Sequence, residues 1–299
     1  MDTLIIEERF KNFDYFNKNI IYTKEFVKDV KELNQIYNRY DYCVVGSDQI
    51  WSEGISNIGE IAFVTCSKRE KNISYAASFG RNIIPAISKE KYIMGLNNFC
   101  KISVREDDGK KIIKELIGKD VPTVLDPTIL KTVNQLDAVI RKPKEKPTKK
   151  FIFSYFVTTN SETRRNEIER IAKQYDDEVV ALNDPNYEKF YVTGPSEFLY
   201  YIKNAEYIFT DSFHCAVFSI LYKKNFYTLN RIDSMDKTNS RIDTLLKKFN
   251  LTERAVNQIP MEFSDCLYNN IDELINKEKE KSMNFLKTAL DIKEGANNE

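Results

Sequence analysis

Hydrophobic positions along the chain alternate between short β-branched runs and longer stretches with helical spacing. Residues 23–40 carry apolar side chains three and four positions apart, which predicts one amphipathic helix. Residues 42–45 form a β-branched run that ends in a Gly-Ser-Asp turn, which is typical of a strand in a parallel α/β sheet. Further strands are predicted over residues 61–65, 73–77, 101–104 and 123–125, and a helix over residues 107–116. This alternation predicts a doubly wound α/β fold.

A charged stretch divides this pattern into two halves. Residues 141–150, RKPKEKPTKK, hold two prolines among charged side chains, which is typical of an exposed linker. Beyond it, strands and helices are again predicted in alternation, over residues 151–156, 164–175, 178–182, 196–204, 207–210, 216–222 and 226–229. We therefore predict two domains, residues 1–141 and residues 151–299, with a C-terminal helix over residues 271–292 that packs back on the first domain.

The composition narrows the class of protein. The 299 residues are 42% hydrophobic, and their 45 basic and 45 acidic residues give no net charge. We therefore expect no general affinity for nucleic acid, and an anionic ligand must be held by a local cluster. The cysteines are scattered and odd in number, which indicates neither a disulfide framework nor a zinc site, and no other metal cluster is visible. The absence of a leader pattern and of roughly 20 consecutive apolar residues predicts a cytoplasmic enzyme with no membrane span.

Three groups of polar residues directly follow predicted strands: residues 46–48 (GSD), Arg105, and residues 211–214 (DSFH). The carboxyl ends of parallel strands and the following helix N-termini line one crevice, where free backbone N–H groups favour anions. We therefore expect Gly46, Arg105 and His214 to line one cleft.

Each candidate also has an ordinary structural interpretation. His214 is the only histidine and is suited to proton transfer near neutral pH, yet a lone histidine after a helix cap is more commonly structural. Arg105 could clamp a carboxylate or phosphate, or pair with a neighbouring acidic residue. The single glycine at Gly46 is a weak signal for a phosphate loop and equally fits a simple turn. Trp51 is more commonly a core residue than a sugar-stacking one.

Five ordered motifs connect these places to a known family. They are YDYCVVGSDQIWS (residues 40–52), SYAASFG (74–80), ISVREDDG (102–109), VLDPTIL (124–130) and FTDSFHCAVFSILYKKNF (209–226). Together with SRIDTLLKKFNLTER they extend over residues 40–254. In these motifs the chain resembles the polysaccharide pyruvyl transferase family.

The resemblance implies a glycosyltransferase-B-like architecture, two Rossmann-like domains facing across a cleft. It implies phosphoenolpyruvate as donor, with no further cofactor and no metal, and a saccharide acceptor that is lipid-linked or nucleotide-linked. Such an enzyme would work in exopolysaccharide synthesis, in the cytoplasm or peripherally at the inner membrane face. The implied roles are a general acid or base for His214 and substrate binding for six residues: Arg105, Ser212, Arg241, Gly46, Ser47 and Asp48.

Two departures from the family pattern affect these expectations. The family normally begins with a strand and an Asn-Tyr-Gly turn, so the first domain is expected to lack its first strand. Cys215 stands where a glycine usually follows the histidine, and a Cβ there would be costly if the backbone φ were positive. A nucleotide-sugar glycosyltransferase and a non-catalytic relative that binds a glycan or a partner protein therefore remain alternatives.

Overall fold

The computed structural model describes residues 3–18, 20–21, 30–52, 60–157, 161–231 and 240–292, which fall into two compact units. The larger unit combines Met1–Tyr22 with Lys131–Asn269, and the smaller unit combines Thr23–Leu130 with Asn270–Glu299. Each unit contains a parallel β-sheet covered by helices. The α/β class predicted from the alternating pattern is therefore confirmed.

Helices and strands follow one another through most of the described chain. The helices are α1 (Thr3–Asn17), α2 (Val30–Tyr37), α3 (Glu60–Phe63), α4 (Lys89–Asn97), α5 (Asp107–Ile117), α6 (Val133–Asp137), α7 (Glu162–Tyr175), α8 (Pro195–Asn204), α9 (Phe213–Leu221), α10 (Ser240–Lys248) and α11 (Ile271–Ala289). The strands are β1 (Cys43–Val45), β2 (Asn72–Ala77), β3 (Lys101–Val104), β4 (Phe151–Tyr155), β5 (Glu178–Leu182), β6 (Tyr207–Thr210), β7 (Asn225–Leu229) and β8 (Ala255–Val256). None of the described helices combines the length and the apolar composition needed to cross a bilayer.

The smaller unit is built on the three parallel strands β1, β2 and β3, in that order. Its core is a cluster of aromatic rings around Trp51, whose side chain is fully buried and whose ring lies 5.0 Å from that of Phe79. The indole N–H donates a hydrogen bond to the Ala62 carbonyl at 3.0 Å. Trp51 is thus a core residue, in line with the more common role of a lone tryptophan.

The larger unit has five parallel strands in the order β5-β4-β6-β7-β8. Successive side chains of β4 face opposite sides of the sheet, as the pleat requires. Ile152 packs in a cluster with Ile168 of α7, whereas the Phe153 ring stacks on Tyr201 of α8. Because helices cover both faces, β4 is apolar at nearly every position instead of alternating.

Two predicted strands are not strands in the structure. Residues 61–65 fall in α3 and the turn after it, and residues 123–125 contribute only a single bridge between Thr123 and Val104. A short apolar run is compatible with either a buried helix or a buried strand, so its periodicity cannot distinguish them. Of the helix predicted over residues 23–40, the structure has α2, while residues 23–29 lie outside the described residues.

The division between the units lies earlier than the proline-rich stretch suggested. Helix α6 belongs to the larger unit, where Asp137 accepts hydrogen bonds from Lys203 and from the Tyr222 hydroxyl. Arg141 forms an ion pair with the buried Glu197 of α8. These polar contacts hold the segment after residue 130 against the second half of the chain.

Each end of the chain belongs to the unit that holds the more distant half of the sequence, as predicted for the C-terminal helix but not for α1. Helix α1 is part of the larger unit, although residues 23–130, which belong to the smaller unit, separate it in sequence from the rest of that unit. Helix α11 is part of the smaller unit, where the Ser282 hydroxyl accepts a hydrogen bond from the Leu125 N–H at 2.9 Å. The chain therefore passes from one unit to the other three times.

Gly46, directly after β1, offers a test of how tightly the strand ends are packed. Its φ is +124°, and a Cβ added there would lie 2.1 Å from the Tyr75 carbonyl oxygen. Gly118 also has a positive φ, +69°, but a Cβ there would meet nothing within 4 Å.

Gly118→Ala should lower the free energy of unfolding by about 1–2 kcal/mol, the cost of a left-handed backbone for a residue with a Cβ. Gly46→Ala should cost about 1–3 kcal/mol more because its Cβ meets rigid backbone. Urea unfolding of both variants measures this difference, and equal losses would contradict the close packing.

Candidate functional site

A buried ion pair joins the loops that follow the strands of the smaller unit. Arg105, after β3, donates from Nη1 to Asp126 Oδ2 at 2.7 Å and from Nη2 to Asp48 Oδ1 at 3.1 Å. The same Asp126 oxygen accepts from the Ser47 hydroxyl at 2.7 Å, and its second oxygen accepts from the Thr128 N–H. The side chains of Arg105 and Asp126 are 1% and 2% exposed, whereas that of Asp48 is 66% exposed.

The next residue of the same motif organises another loop. The Glu106 carboxylate is fully buried and accepts from the Ser78 hydroxyl at 2.9 Å and from the Phe79 N–H at 3.0 Å. Arg105 and Glu106 therefore connect the segment after β3 to three other loops, all of which carry motif residues. In the smaller unit, residues 46–48 and Arg105, which are separate candidates in the sequence, thus belong to one polar network.

This network limits what Arg105 can do for a ligand. Its guanidinium already lies between two carboxylates, which compete with an incoming anion for its N–H donors. A donor carboxylate or phosphate would reach Arg105 by replacing Asp48, the exposed partner. The pairing with Asp126 was not expected from the sequence, although Asp126 follows a predicted strand end just as Arg105 does.

The larger unit contains a pocket of about 430 Å³ where β4, β5 and β6 end. We call it the strand-end pocket. Its polar lining comes from Arg9, Tyr155, Asn183, Thr193, Ser212 and His214. A volume of this size is typical of small-molecule sites, and the carboxyl ends of parallel strands are their usual location.

The DSFH motif places His214 in this pocket through its neighbours. Asp211 is buried and accepts a hydrogen bond from the Val157 N–H at 2.6 Å, which ties the end of β6 to the end of β4. Ser212 caps α9, because its hydroxyl accepts from the Cys215 N–H at 3.3 Å. His214 therefore lies in the first turn of α9, where the helix N-terminus contributes positive potential to the pocket.

Cys215 is accommodated without strain. It lies inside α9, it is not among the residues with positive φ, and its side chain is fully buried. The Cβ that seemed costly from the sequence is therefore compatible with the helical backbone. Burial raises the pKa of the Cys215 thiol to about 12, so the thiol remains protonated at neutral pH and cannot act as a nucleophile there.

The predicted site residues thus fall into two groups. Gly46, Ser47, Asp48 and Arg105 come together in the smaller unit, and Ser212 and His214 come together in the larger one. Arg241 lies at the start of α10 and is not among the residues that line the strand-end pocket. That both groups line one cleft stays a prediction.

Arg9 and Asn183 are pocket residues that were not predicted. Asn183 directly follows β5, so the rule that identified the other strand ends would also have found it. Arg9 lies on α1 at the other end of the chain, and no sequence pattern connects it to the pocket.

Fold and pocket together define an α/β protein with parallel sheets and a ligand-sized pocket at strand carboxyl ends. A family model described as Polysaccharide pyruvyl transferase matches residues 3–234. The chain therefore belongs to the polysaccharide pyruvyl transferase family.

Solved structures similar to the chain include two epimerases. UDP-N-acetylglucosamine 2-epimerase from Rickettsia bellii is 12% identical, with a TM-score of 0.47, over 97% of this chain and 88% of the other. UDP-GlcNAc 2-epimerase from Methanocaldococcus jannaschii, in complex with UDP-GlcNAc and UDP, is 13% identical, with a TM-score of 0.45, over 92% and 88%. None of the curated proteins compared with the chain matches it.

The polar network of the smaller unit predicts unequal effects of removing its charges. Arg105→Met leaves the carboxylate of Asp126 buried without its cation, so the free energy of unfolding should fall by about 3–5 kcal/mol. Asp48→Asn removes an exposed charge of the same network and should change the free energy of unfolding by less than about 1 kcal/mol. Urea unfolding of the two variants and the wild type makes the comparison. Equal destabilisation would show that the buried pair does not hold the loops together.

Proposed function

We propose that the chain transfers the enolpyruvyl group of phosphoenolpyruvate to hydroxyls of a saccharide acceptor and forms a pyruvate ketal in surface polysaccharide synthesis. The match of the family model to residues 3–234 supports this reaction class and a saccharide acceptor. The observation that carries the proposal within the chain is the position of His214. The chain's only histidine lies in the first turn of α9 and lines a ligand-sized pocket at the strand ends.

In the proposed reaction His214 moves two protons. As an imidazolium it donates a proton to the methylene carbon of the donor, which makes C2 electrophilic. One acceptor hydroxyl then forms a bond to C2 and returns its proton to the imidazole. A second hydroxyl closes the ring as the C–O bond to phosphate breaks, and its proton goes to the leaving group, so one hydrogen phosphate is released for each ketal formed.

The remaining predicted residues position the anionic donor in this proposal. Ser212 holds the turn from which His214 projects, and the helix N-terminus beside it favours negative charge. Arg105 contacts the donor by exchanging Asp48, while Ser47 and Gly46 keep the loop in place. Arg241 is a second candidate anion contact, at the start of α10.

The donor distinguishes this proposal from its alternatives. A ligand that binds only the folded state stabilises it, by about 2.7 kcal/mol at 100 times its dissociation constant. Phosphoenolpyruvate should therefore raise the melting temperature of the full chain, with UDP-glucose as the comparison ligand. A shift with UDP-glucose but not with phosphoenolpyruvate would indicate a glycosyltransferase. A shift with neither would favour a non-catalytic relative.

The role of His214 can be separated from its contribution to folding. His214→Gln keeps hydrogen bonding but cannot exchange a proton near neutral pH, so turnover should fall by roughly 10²- to 10⁴-fold. His214→Ala should be equally inactive. Both variants should melt like the wild type, and His214→Gln should still bind phosphoenolpyruvate. The measurements are ketal formation on an acceptor glycan and a thermal melt. Near-normal turnover in folded His214→Gln would make the histidine structural and end this mechanism.

A further inference from the structure

The cation of the strand-end pocket comes from the N-terminal helix. Arg9 lies on α1 and lines the pocket together with His214 and Ser212. The roles proposed for Arg105 and Arg241 do not account for the position of Arg9 at the pocket. Arg105 is enclosed by its carboxylate partners, and Arg241 is not among the pocket's lining residues.

Helix α1 is held against the larger unit by specific contacts. The Asn12 side-chain amide donates to the Val192 carbonyl at 2.6 Å, and its oxygen accepts from Arg141. The backbone of Asn12 comes so close to Gly194 that a Cβ on the glycine would lie 2.9 Å from it. This anchoring places Arg9, one helical turn before Asn12, at the pocket.

The guanidinium of Arg9 is oriented but not neutralised. Its Nη1 donates to the Tyr191 carbonyl at 2.7 Å, and its central carbon lies 4.4 Å from the centre of the Tyr191 ring. Within the described part of the chain, Arg9 has no carboxylate partner. A guanidinium carries five N–H donors, and the Tyr191 carbonyl takes one of them. The side chain is therefore fixed in place with donors and charge available for a ligand.

The surroundings of Arg9 favour an anion. None of the described residues that line the pocket is an aspartate or a glutamate. Burial raises the pKa of the Tyr155 hydroxyl and the Asp211 carboxylate adds to that rise, whereas the positive charges of Arg9 and Arg231 act against it, so two cations and one carboxylate lie near this hydroxyl. The N-terminus of α9 adds to the same positive potential. The remaining walls are largely apolar and include the rings of Phe13 and Phe198.

We propose that Arg9 binds the anionic group, a phosphate or a carboxylate, of the ligand in the strand-end pocket, so that helix α1 completes the substrate site. The proposal rests on the proposed function for its two candidate ligands. The anion belongs either to phosphoenolpyruvate or to the phosphate of a glycosyl phosphate acceptor whose sugar lies on the aromatic walls. In both cases Arg9 holds the charge while His214 faces the reacting part of the molecule.

The single histidine makes the test specific. Because His214 is the only histidine in the sequence, histidine labelled with ¹³C at the ring carbon Cε1 gives a single labelled signal in the NMR spectrum of the untagged chain. That signal is followed at constant pH while phosphoenolpyruvate, α-glucose 1-phosphate or the neutral methyl α-glucoside is added. The proteins are the wild type, Arg9→Gln, Arg9→Lys and, as matched control, Lys11→Gln, which removes an exposed charge from the same helix.

At least one anionic probe should shift the His214 signal saturably in the wild type and in Lys11→Gln, and the neutral glucoside should not. Arg9→Gln keeps a donor for the Tyr191 carbonyl but loses the charge, so half-saturation should need at least about tenfold more anion. The anion concentration at half-saturation of Arg9→Lys should lie between those of the wild type and Arg9→Gln, because lysine keeps the charge but cannot form two parallel hydrogen bonds. The probe that saturates identifies the source of the anion, the donor or the acceptor phosphate.

Two outcomes of the titration would overturn the proposal. In the first, the titration curve of Arg9→Gln coincides with that of the wild type. In the second, neither anion shifts the His214 signal of the wild type, and this result does not depend on whether the variants fold. Ketal formation is measured in parallel. Arg9-dependent anion binding without ketal formation would refute the proposed function and leave this site standing. Ketal formation with unchanged KM values in Arg9→Gln would refute this site and leave the function standing.

Discussion

The buried ion pair between Arg105 and Asp126 is the contact around which the strand-end loops of the smaller unit are arranged. Removing two charges from water is costly, and their attraction compensates only when further hydrogen bonds satisfy both groups. The Ser47 hydroxyl, the Thr128 N–H and the Asp48 carboxylate provide those bonds. Three loops from distant parts of the sequence must therefore stay in place together. This requirement explains why polar residues occur at corresponding strand ends in several motifs.

The larger unit holds its pocket by other means. The Val157 N–H donates to Asp211 and joins the ends of β4 and β6, and Ser212 caps the helix that follows β6. These two contacts fix the turn from which His214 projects into the pocket. The charge of Arg9 at this pocket is not offset by a carboxylate partner, whereas two carboxylates offset the charge of Arg105.

This difference bears on how arginines near strand ends are interpreted. Both Arg105 and Arg9 can form forked hydrogen bonds with a carboxylate or phosphate, but only the electrostatic surroundings decide whether an outside anion is favoured. Arg105 organises the loops first, and contact with a donor requires an exchange with Asp48. Arg9 is aligned by a carbonyl and an aromatic ring, both of which leave its charge intact. Arg105 is thus committed to its carboxylate partners in this structure, whereas Arg9 is not.

The sequence by itself determined the α/β class, most of the strands and helices, and the position of DSFH after a strand, because period and turn chemistry are local properties. It misjudged residues 61–65, where a short apolar run is ambiguous. It left open whether Cys215 strains the backbone. Only the tertiary structure decided that Asp126 and Asp48 are the ion-pair partners of Arg105, that α1 belongs with the second half of the chain, and that Arg9 reaches the pocket of His214. These are contacts between residues far apart in sequence, and such contacts leave no periodic signal along the chain because packing, not local preference, selects them.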